Sequence, residues 1–367
     1  MPMKQTAPSC RATGALTLLF CLDLAGARAA TVYSPVVGFV KFDCPPNADT
    51  VVSVPFHRAP RWAGRLLSAP SDQGGGVFRL ALKDTPSFAA NELKSTPHVL
   101  FCHDPAGPEG RHFAITDHGA NSIDVSAVAG DLSGLTVDSR ISVIPSWTLD
   151  ALFPAATQTT LHASTGPLAT QRGSELLFFD NKTVGTSLAP TRRFYVTTAG
   201  WFESGTFLAA GSTVIAPGQA FLIRHPAGVA ATTFVPNQQV YGGKLTLSIP
   251  VANGKARDTM LSPPRPVTLT LSQLDFAPGD FVESDSNAVA DRKDQLLVYD
   301  NSQPEQNRLP AAIYFRSGGQ WRRDGTNAIS DSVTIEPSAG LLLRKAAGGA
   351  DTVVLWKNAP IYDVAAP

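Results

Sequence analysis

Cysteine and methionine are scarce in this chain, four and three of 367 residues, and only 16% of its residues carry a charge. Lys and Arg number 30 against 30 Asp and Glu, so no net charge remains at neutral pH. Without a basic surplus the chain lacks the electrostatic footprint of a nucleic-acid binder or of a protein held to acidic membranes. Beyond the N-terminus no apolar run approaches the ~20 residues of a bilayer-spanning helix, which excludes a polytopic helical membrane protein. Also missing are a Gly-x-Ser-x-Gly elbow, a His-Glu-x-x-His pair, a phosphate-binding loop and a dinucleotide fingerprint. No catalytic residue, cofactor or metal ligand is therefore assigned. What is present is 43% hydrophobic residues, enough for a sizeable core, and turn-forming glycine and proline, 30 and 29.

The N-terminus reads as an export signal. Lys4 and Arg11 supply positive charge, Ala15–Leu22 the apolar segment, and Ala27-Arg28-Ala29 the small-x-small cleavage pattern. Cleavage near Ala29 makes the protein secreted or periplasmic. Two cysteines survive it, Cys44 and Cys102. In an oxidising compartment they form one disulfide, or else remain two separate buried thiols.

The strongest internal signal is a repeat at an offset of 120 positions. Leu176-Leu177 and Asp180-Asn181 match Leu296-Leu297 and Asp300-Asn301. The ungapped match continues through Pro190/Pro310, Trp201/Trp321, Pro217/Pro337, Leu222/Leu342 and Arg224/Arg344. Each copy reads as short β-branched or aromatic strands between Gly, Pro, Asn and Ser clusters, and Gly318-Gly319 as a hairpin turn. Upstream, residues 31–147 offer another set of strands. One helix is expected there, with Thr85 as N-cap, Pro86 at N1 and a body over Ser87–Leu93. A second helical turn starts at Thr148 and stops before Pro154. Polar stretches Ala155–Ser174 and Ala252–Arg265 read as linkers or long loops. The expected fold is all-β: a signal peptide over 1–29, then a small N-terminal barrel or sandwich over 30–147. Two duplicated sandwich-like units follow, over 148–240 and 265–362.

Several side-chain groups carry alternative readings. Trp201, Trp321, Tyr195 and Tyr314 are candidate stacking platforms for sugars, or else core anchors. The stretch from His98 to His118 also holds Cys102, His103 and His112, and a zinc site from His98, Cys102 and His112 competes with solvated histidines. Asp180-Asn181 and Asp300-Asn301 are calcium ligands or, the better reading, Asx turns. Arg224 and Arg344 cap a sheet or pair with carboxylates. The run from Glu283 to Asn287 with Asp291 and Asp294 reads as a solvated loop.

Val36–Val40, Cys44-Pro45, Asp49–Phe56, Ile144–Leu149 and Leu152-Phe153-Pro154, with the doubled Leu-Leu-x-x-Asp-Asn … Trp … Pro … Arg pattern, resemble a known family. It comprises uncharacterised secreted β-rich proteins that occur as paralogues in verrucomicrobial and related bacteria. The resemblance implies an exported β-protein and brings no activity, cofactor or catalytic residue. The closing residues Ile361–Pro367 are too short for a membrane-spanning tail. The expectation is a non-enzymatic structural or adhesion-like envelope protein. The alternatives are a carbohydrate-binding protein using the repeated aromatics and a metal-assisted hydrolase around His98–His118. Its partners would be extracellular polysaccharide or other envelope proteins.

Overall fold

Two five-stranded antiparallel sheets of the same order dominate the molecule, for which a computed structural model describes residues 36–362. The expected signal segment lies outside the described residues. The first sheet runs Gly200–Glu203, Arg192–Thr197, Glu175–Phe178, Ala220–His225 and Ala48–Ser53. The second runs Gln320–Arg323, Ala312–Ser317, Gln295–Tyr299, Gly340–Lys345 and Arg257–Leu261. Cross-strand partners correspond as well: Leu176 faces Phe194 and Ile223, and Leu296 faces Tyr314 and Leu343.

The central strands are apolar without alternation because both of their faces are covered, which removes the polar side of an ordinary antiparallel strand. In Phe221-Leu222-Ile223, the outer two residues enter the first sheet's own core with Phe153, Phe178 and Phe194, while Leu222 points the other way. It meets Leu177, Val51, Met260, Leu297 and Leu342 in a layer shared by both sheets. Leu341 and Leu343 enter the second core with Phe281, Trp321 and Trp356. The order is therefore core, sheet, shared layer, sheet, core.

The fifth strand of the first sheet corrects the expected division at residue 147. Ala48–Ser53 lies within the segment assigned to the N-terminal domain, yet it pairs along its length with Ala220–His225. Its counterpart Arg257–Leu261 lies in a stretch read as a linker or long loop. Residues between Trp62 and Pro145 instead form a seven-stranded sheet, ending on Trp62–Arg65 and Ser71–Gly74. A bridge between Leu66 and Leu82 curls this sheet toward closure. Its concave side is filled by Leu80, Leu100, Cys102, Phe113, Ile123 and Val143, all buried.

Three local expectations have clear outcomes. Thr148 caps the short helix Leu149–Leu152, its hydroxyl accepting from Ala151 N–H at 3.2 Å. The helix expected at Ser87–Leu93 is displaced to Glu92–Ser95. Asp84, Thr85, Ser87 and Asn91 all have positive φ, which no right-handed helix accepts. The hairpin Gly318-Gly319 has φ of 61° and 77°, the double left-handed geometry that leads a tight turn to select glycine.

Candidate functional site

The sheet edges show what the repeated Asp-Asn pairs do. Ala48–Ser53 and Arg257–Leu261 are edge strands, and an exposed edge leaves a row of backbone groups without partners. Asn301, from the second sheet's loop, covers the first sheet's edge: its Oδ1 accepts from Val51 N–H at 2.9 Å and its Nδ2 donates to Val51 carbonyl at 2.7 Å. Asn181 does the same in reverse, accepting from Met260 N–H and donating to Met260 carbonyl, both at 3.0 Å. Each side-chain amide thus stands in for the backbone of a sixth strand. The loops add one more rung each, Asp49 N–H to Glu305 carbonyl and Asp258 N–H to Gly185 carbonyl.

The preceding aspartates close turns locally. Asp180 accepts from Lys182 N–H at 2.8 Å and Asp300 from Ser302 N–H at 2.9 Å, and the latter bond holds the Asp300 carboxyl below its ordinary range. The Asx-turn reading describes this geometry. Arg224 grips Asp49 through two bonds of 2.6 Å, and Arg344 grips Asp258 through bonds of 2.8 and 2.9 Å. These bidentate pairs join the fifth strand to the fourth within each sheet. Asn307 and Ser187, again at matched positions, reach the two arginines from the opposite half.

The aromatic candidates are not platforms. Trp201 and Trp321 are 2% and 4% exposed, and Tyr195 and Tyr314 are buried too. Trp201 packs on Phe153 at 6.1 Å and 54°; Trp321 packs on Phe276 at 6.2 Å and 58°. The tyrosines lie on opposite faces of their sheets. Tyr314 enters the second core, whereas Tyr195 lies under the Arg172 guanidinium at 3.9 Å. A sugar has no ring face to stack on at any of the four.

The histidine-rich stretch also disperses. His98 and Cys102 share one side of their strand by period two, while His112 is registered opposite Phe101 and so lies on the other. His98 Nδ1 bonds Thr96 carbonyl at 2.6 Å, and His118 Nε2 accepts from Leu93 N–H at 3.2 Å. Among the described residues no three His, Cys, Asp or Glu side chains converge as metal ligands. The disulfide is likewise absent. Cys44 sits in the first sheet's core and Cys102 inside the curled sheet, both free and buried. Burial pushes their thiols up to about 11 and about 12, which keeps them protonated and inert.

His103 and His112 of the histidine-rich stretch meet His57, which lies outside it, in a different cluster. His57, His103 and His112 surround Phe101 and Tyr241, with ring centroids 4.6 to 5.5 Å apart. His112 Nε2 meets Tyr241 hydroxyl at 3.1 Å and His103 Nε2 meets Ser142 Oγ at 2.7 Å. Burial pushes His103 down to about 4 and His112 down to about 3; His57 is lowered by burial as well. His103 and His112 are therefore neutral near pH 7 and too weakly basic for acid–base work there. Beside them a cleft of about 360 Å³ is lined by Arg111, His112, Asp180, Lys182, Gln219 and Ser248. Arg111 is committed to Asp131, and Asp180 to its own turn. The cleft offers hydrogen-bonding groups and no activated nucleophile.

No family model, curated protein or solved structure matches the chain. Among the described residues no helix is long and apolar enough to cross a membrane.

Proposed function

We propose that the protein is an exported, non-enzymatic structural or adhesion-like module of the bacterial envelope, built from two sister β units. Its membership of the secreted β-rich family it resembles is part of the same proposal. The observation that carries the reading is how the matched residues are used. Asn181 and Asn301, Arg224 and Arg344, and Trp201 and Trp321 are all spent on edge capping, strand joining and core packing. A duplicated binding protein would be expected to retain matched residues at an accessible surface, since recognition needs exposed groups. Scaffold residues retained in both halves fit a protein whose product is its shape and stability.

A glycan array combined with intrinsic tryptophan fluorescence tests this. The expected result is no sugar bound and an emission maximum typical of buried indoles that no polysaccharide shifts. Saturable binding of any polysaccharide, abolished by Trp201→Phe or Trp321→Phe, would restore the carbohydrate reading. The export half of the proposal is checked by sequencing the N-terminus of material recovered from a bacterial periplasm, where Ala30 is the expected first residue.

A further inference from the structure

The strand Val37–Phe39 is inside out. It pairs with Asn237–Val240, which pairs in turn with Phe56–His57, so it forms the outer edge of a three-stranded sheet. Its inward residue is Gly38, where a Cβ would come within 3.0 Å of both Phe56 and Val240 side chains. Its large residues point away, with Val37 63% and Phe39 69% exposed. Sliding the strand by one residue would exchange the two faces, so this register leaves two large apolar side chains in water. Val36, just before the strand, and Val235, just before its partner, are 49% and 44% exposed as well. Natural edge strands are blunted by charge, proline or a covering element. Residues 36–40 contain no charge and no proline, and no described element covers the strand.

The backbone says how this edge would be filled. Val240 N–H donates to Val36 carbonyl, and Val40 N–H donates to Pro236 carbonyl. In an antiparallel ladder the bonding residues alternate, so residues 36, 38 and 40 face the neighbouring strand. The N–H and carbonyl groups of Val37 and Phe39 therefore point outward, four groups without a described partner. We propose that this strand is a self-association edge, filled by the same strand of a second copy of the chain. With a dyad at Gly38, Val37 lies opposite Phe39 of the second copy and exchanges both backbone bonds with it, and Phe39 does the same with Val37. All four free groups are then satisfied, and two aromatic–β-branched cross-strand pairs form on the outer face. The segment itself is uncharged, so no like charges face each other across the dyad. The interface is short, which places the dimer among weak assemblies.

Sedimentation of the signal-cleaved chain across micromolar to submillimolar concentration tests the proposal. Weight-average mass should rise reversibly toward twice the monomer value. Phe39→Lys should hold the protein monomeric, and circular dichroism should be unchanged because the side chain is exposed. Val37→Glu combined with Phe39→Lys sets opposite charges across the dyad and should restore dimerisation, with strong salt dependence. A wild-type chain monomeric throughout that range overturns the proposal, as does a dimer indifferent to both variants.

Discussion

Replacing Lys345 by methionine should cost about 3–5 kcal/mol of unfolding free energy, the usual penalty for breaking a buried ion pair from one side. Lys345 and Asp294 are 2% and 0% exposed and in direct contact. Asp294 also accepts from Val282 N–H at 2.7 Å and Ala346 N–H at 2.8 Å, and Lys345 donates to Asp280 carbonyl at 2.8 Å. Removing the ammonium leaves a fully buried carboxylate with no countercharge. The other half of the molecule shows how the same position is managed without charge. There His225 stands for Lys345 and Ser174 for Asp294, joined at 2.8 Å, and Ser174 accepts from His162 N–H as Asp294 accepts from Val282. The double change Lys345→His with Asp294→Ser should therefore recover most of the stability lost in Lys345→Met. Urea unfolding of the two variants checks both statements. A loss below ~1 kcal/mol for Lys345→Met, or a double variant no better than the single, would contradict this account of the buried pair.

Acid should unfold the protein early, and histidine rather than carboxylate should be the cause. His103, His112 and His225 are held near 4, 3 and 4 by burial, against 6.5 for the free side chain. A group whose folded value is depressed contributes stability that is complete above its unfolded value and is lost as pH falls. Below pH 6.5 each of these histidines therefore withdraws about 1.4 kcal/mol per pH unit, until the pH nears its folded value. Between pH 7 and 4.5 the three together remove on the order of 7 kcal/mol, comparable with the whole stability of many domains. At pH 5.5 unfolding should take up about three protons, and His112→Gln should lower that number by about one. Urea unfolding measured at closely spaced pH values gives this proton count. Uptake of fewer than one proton would show that these histidines are solvated in the folded protein.

The β class, the helical turn before Pro154 and the Asx turns were legible because each depends on residues close in sequence. The fifth strand of each sheet was not. Asp49 and Asp258 hold equivalent places, yet they lie 209 positions apart where the other matched residues lie 120 apart. The 89-residue excess is close to the length of the seven-stranded sheet, which interrupts the first unit after His57. An ungapped comparison cannot cross such an insertion. Nor could spacing show that Asn181 and Asn301 serve the opposite sheet, although their retention was visible. The equation of Tyr195 with Tyr314 failed for a geometric reason. Phe194-Tyr195 and Tyr314-Phe315 exchange their hydroxyls between the two faces, so matched composition hides unmatched direction.

The two sheets cap each other's edges, and amide exchange at Val51 in Asn301→Ala measures this most directly. Val51 N–H belongs to the first sheet, but its acceptor belongs to the second. The variant should exchange Val51 about 10 to 100 times faster, in line with the ~1–3 kcal/mol cost of leaving a backbone group unsatisfied, while Met260, held by Asn181, keeps its protection. Unchanged exchange at Val51, or equal acceleration at Val51 and Met260, would contradict the reciprocal clamp.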